Sequence, residues 1–133
     1  MPTSKTTPNP RETFLEKMSD ELTKIYDDLS EFAAFTPEVL HNDRVDAIRA
    51  TLEELADEAE VVGDHAKAEL LRNISTRFYL LHTIGTVESR EKFGERAAQA
   101  FSLVETVLLT MDGFVEKNRG KIMRVIEGRR ERY

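Results

Sequence analysis

The sequence contains no cysteine. A disulfide framework, a thiol nucleophile and a cysteine-ligated zinc or iron–sulfur centre are therefore excluded. Its six glycines are scattered, so no glycine-rich loop can cradle a phosphate with consecutive backbone N–H groups. Long apolar runs are also missing. Runs such as Phe78-Tyr79-Leu80-Leu81 and Val107-Leu108-Leu109 are far short of the roughly 18 residues that a membrane-spanning helix needs. The first ten residues, MPTSKTTPNP, lack the apolar centre of a signal peptide. These absences lead us to expect a cytoplasmic protein without an integral membrane segment. No Gly-x-Ser-x-Gly is present, and no serine stands in a recognisable arrangement with a histidine and an acid. Clean period-two alternation is absent, as are hairpin dipeptides between strand-like runs.

What is present is charge and helical periodicity. The 133 residues are 40% hydrophobic and 33% charged, enough for one domain with a real core and a large polar surface. The formal net charge of -6 is unevenly spread. Glu12 to Asp64 holds 16 acidic and 4 basic residues, whereas Lys117 to Tyr133 holds 7 basic and 2 acidic. Such asymmetry along a chain points to interaction through one end or one face.

Residues 1–8 are polar, carry Pro2 and Pro8, and read as a flexible arm. Asn9-Pro10-Arg11-Glu12 is a helix start, with Asn9 as the cap and Pro10 in the first turn. Leu15, Met18, Leu22, Ile25, Leu29 and Phe32 then step by three and four, the seam of an amphipathic helix over about 10–34. Thr36-Pro37 repeats the capping signal and predicts a short turn through His41. Asn42 or Asp43 opens a second helix, whose seam is Val45, Ile48, Leu52, Leu55, Ala59 and Val62. Gly63-Asp64 is a stop followed by a cap. A third helix is predicted over about 65–84, with Leu70 or Leu71, Ile74, Phe78 and Leu81 buried. Gly85-Thr86 reads as its end, and a fourth helix is predicted over about 87–117 through Phe93, Ala97, Ala100 or Phe101, Val104, Leu108, Met111 and Val115. The expected fold is all-α: an antiparallel up-down bundle of about four long helices over residues 9–128, a short basic helical segment at its carboxyl end, and a tail at 129–133. The same seams would also serve a homodimer.

Three features could carry chemistry. The first is His82, in His82-Thr83-Ile84-Gly85. A histidine on a helix of a small acidic bundle resembles histidine phosphotransfer domains, whose imidazole accepts a phosphoryl group and is followed by a lysine and then a glycine. Here no lysine follows and the glycine comes one residue early, so the residues favour a half-buried histidine near a helix end. The second is metal-like spacing: Glu38-x-x-His41, and His65 with Glu69. A di-iron bundle needs two Glu-x-x-His motifs and two further glutamates, and a zinc site needs at least a third ligand. We therefore expect solvated side chains and no metal or other cofactor. Adjacent carboxylates such as Asp27-Asp28 and Glu53-Glu54 read as solvation rather than as an acid–base pair.

The third feature is the basic segment. Lys117, Arg119, Lys121, Arg124, Arg129, Arg130 and Arg132 interleave with Ile122, Val125 and Ile126. An amphipathic cationic stretch suits an acidic protein surface, including this protein's own acidic helices, an anionic membrane surface, or nucleic acid. The overall acidity and the lack of interleaved aromatics weigh against nucleic acid. The expected function is that of a non-enzymatic interaction protein, an adaptor, regulator or assembly subunit. Its partner would be a protein or a second copy of itself, and the seven cations its contact residues. Nucleic-acid binding through the same cations is the alternative, and phosphotransfer at His82 a third reading.

Overall fold

A computed structural model describes residues 9–32, 34–87 and 89–111. Among them the chain is all-helical: α1 spans Pro10–Ser30, α2 Asn42–Val61, α3 His65–Val87 and α4 Arg90–Leu109. Each helix begins or ends where its local chemistry dictates. Asn9 Oδ1 accepts the Arg11 backbone N–H at 2.8 Å, with Pro10 in the first turn, so one of the four orphan donors of α1 is satisfied. α1 ends at Ser30, short of the predicted 34. Thr36 organises the single turn before α2, its carbonyl accepting from Leu40 N–H at 2.8 Å. This turn drives Leu40 into the core at 1% exposure. The N-cap of α2 is His41, whose side chain makes no capping bond.

Between α2 and α3 the predicted stop and cap are both present. Gly63 adopts φ +81, a left-handed conformation that costs a side-chain-bearing residue. Asp64 Oδ1 then accepts the Lys67 backbone N–H at 3.3 Å. The Asp64 side chain is 8% exposed and also meets Arg11 Nη2 at 3.2 Å, tying this cap to the start of α1. Burial works against ionisation of this carboxyl, but the Lys67 N–H, the Lys67 charge and the Arg11 guanidinium outweigh it and hold its pKa below the ordinary value. A depressed folded-state pKa contributes stability above the unfolded value, and this is lost as pH falls through the folded one. Asp64→Ala is expected to cost about 1 kcal/mol as a lost cap. Asp64→Asn, which keeps a capping oxygen, should flatten the loss of stability below about pH 4, read by urea unfolding across an acid pH series.

Gly85 does not stop α3, which continues to Val87. α4 is instead capped by Ser89, whose side chain accepts Lys92 N–H. α4 ends at Leu109, and the predicted positions beyond Met111 lie outside the described residues.

The buried stripes meet in one core. Met18, Leu22 and Tyr26 of α1, Leu52, Ala56 and Ala59 of α2, Leu71, Ile74 and Phe78 of α3, and Ala100, Val104 and Leu108 of α4 are essentially inaccessible. α2 and α3 share the most extensive interface, followed by α3 with α4, while α1 packs more sparingly on α4 and α2. Small residues are buried on both helices of this pair, Ala56 and Ala59 on α2 and Ala68 on α3, all at most 1% exposed. Leu71 takes the buried position of the third stripe and Leu70 is exposed, whereas Ala100 and Phe101 are both buried.

Candidate functional site

All seven cations singled out in the sequence, from Lys117 to Arg132, lie outside the described residues. The acidic surface that could receive such charges is described. On α1, Glu12, Glu16 and Asp20 follow one another at four-residue spacing and are exposed, forming one line along the helix. No cation among the described residues lies within ion-pair distance of them. On α2, Asp43 is likewise exposed and without such a partner.

Most of the described cations are already committed. Lys17 of α1 reaches Glu58 of α2 at 2.8 Å and Glu54 at 4.0 Å, and the Glu58 hydrogen bond raises the lysine pKa. Arg44 pairs with Asp28 at 2.7 Å, and Arg72 with Asp57 at 3.1 Å and Glu60 at 3.6 Å. Arg90 at the start of α4 forks onto Glu38 in the turn before α2. This pairing takes the acid of the predicted Glu-x-x-His motif. Individually these exposed pairs contribute little. Together they occupy most of the described cations, and the line on α1 meets none of them.

The histidines are likewise placed by pairing. His65 Nδ1 lies 2.5 Å from Glu60 Oε1 rather than on Glu69. That bond comes first among the causes that lower the Glu60 pKa. His82 is half-buried, and its Nε2 lies 2.8 Å from Asp46 Oδ1 across the α2–α3 seam. One and two turns earlier on α3 stand Tyr79 and Ser75. The Arg49 guanidinium lies 4.8 Å from the centre of the Tyr79 ring, and Arg49 Nε donates to Ser75 Oγ at 3.3 Å. Ser75 is wholly buried, so its hydroxyl needs that partner. This polar ladder pins α2 to α3. No group of three or more potential metal-ligating side chains occurs among the described residues.

A shallow depression of about 520 Å³ lies on the outside of α3 and α4, lined by Arg77, Ala98, Gln99, Ser102, Leu103 and Thr106. Arg77 is its charged member and has no acidic partner among the described residues. Tyr26 closes the inner side of the α1–α4 contact. It stacks on Phe101 at 5.3 Å and its hydroxyl donates to Glu105 Oε2 at 3.4 Å. No described helix is long and apolar enough to cross a membrane. Comparison with protein-family models, with curated proteins and with solved structures finds no match.

Sequence reasoning located the acidic helices but not the ladder of Arg49, Ser75 and Tyr79. The signal was present: Ser75 falls four residues after Leu71 and three before Phe78, on the apolar stripe of α3. A hydroxyl there must be buried, and a neighbouring helix must supply its partner.

Proposed function

We propose that this protein is a non-enzymatic helical interaction protein, an adaptor, regulator or assembly subunit of the cytoplasm. It recognises a protein partner, another protein or a second copy of itself, through charge complementarity and helix packing. The observation that carries this reading is the division of charge. The bundle's described cations are largely consumed in internal pairs, an acidic line on α1 is left exposed, and seven cations are concentrated after residue 116. Opposite charges gathered at separate places on one chain steer association and select partners. The up-down, antiparallel order of the helices belongs to the same reading. It is supported by ion pairs that run in opposite senses along α1 and α2, Arg11 to Asp64 near one end and Asp28 to Arg44 near the other.

The test is capture of partners by the full chain and by a variant carrying Arg119→Glu, Arg124→Glu, Arg129→Glu and Arg130→Glu. Capture of a defined protein is expected to fall at least tenfold in the variant while helix content is retained. Undiminished capture would overturn the role of the cations. Recovery of nucleic acid, with affinity falling steeply between low and moderate salt, would replace the protein partner with the alternative reading.

A further inference from the structure

No further inference is drawn: the strongest candidate, the shallow depression on the outside of α3 and α4 where Arg77 stands beside the small, uncharged face of Ala98, Ser102 and Thr106, is an unpartnered helix face, and nothing in the structure shows what covers it.

Discussion

Phe78→Ala is expected to destabilise the protein by about 3–5 kcal/mol. Phe78 is wholly buried at the centre of α3, the helix that packs extensively on both α2 and α4. Truncation removes the transfer free energy of the ring and leaves a cavity whose walls belong to three helices. Those helices are held by neighbours and cannot collapse freely into the space. A domain of this size is typically stable by about 5–15 kcal/mol, so the variant should sit close to unfolding at moderate temperature. Urea unfolding would show the midpoint displaced with an unchanged slope. A displacement worth less than about 1 kcal/mol would mean that Phe78 does not hold the three helices together.

The opposite error in volume should be felt at the α2–α3 contact. Ala56 is 0% exposed and follows Arg49, which bonds Ser75 of α3, by two helical turns, so Ala56→Leu would insert three carbons into the buried side of α2 that faces α3. The expected cost is about 1–3 kcal/mol, because α2 must move away from α3 and stretch the Arg49–Ser75 and Asp46–His82 contacts. Ala47→Leu makes the same chemical change on the exposed face of the same helix and should stay within about 0.5 kcal/mol of the parent. Equal effects at the two positions would show that α2 has room at Ala56 and that close packing is not what holds this pair.

Which parts of this architecture could be read beforehand follows from the range of the interactions. The stripes of α1 and α2 repeat by threes and fours because core contact is set by the 3.6-residue turn, a local property. Caps are local too: Asn9, Gly63 with Asp64, and Thr36 are each recognised within a few residues and are found in place. Gly85 was misleading for the same reason. A glycine costs about 1 kcal/mol inside a helix, yet here the helix runs two residues past it and Ser89 supplies the next cap. The pairs that join the helices were not legible. Arg11 and Asp64 are 53 residues apart and Arg90 and Glu38 are 52 apart. Their meeting depends on the register between helices, which no single helix's pattern contains. The asymmetry of charge was visible as a count along the chain. That Glu12, Glu16 and Asp20 stay exposed, while Asp28, Asp57 and Glu58 are taken up by cations, required the fold.

The unequal sharing of contacts among the helices imposes an order in time. α2, α3 and α4 follow one another through links of three residues and then two. Their contacts are largely local in sequence, the kind that form early and cost little loop-closure entropy. α1 is joined to them by the longer stretch from Glu31 to His41 and packs more sparingly on its neighbours. Its six buried side chains nonetheless complete the common core, so the long link delays α1 without loosening it once docked. The helix that carries the exposed acids is then the one expected to arrive last, on a three-helix body already formed.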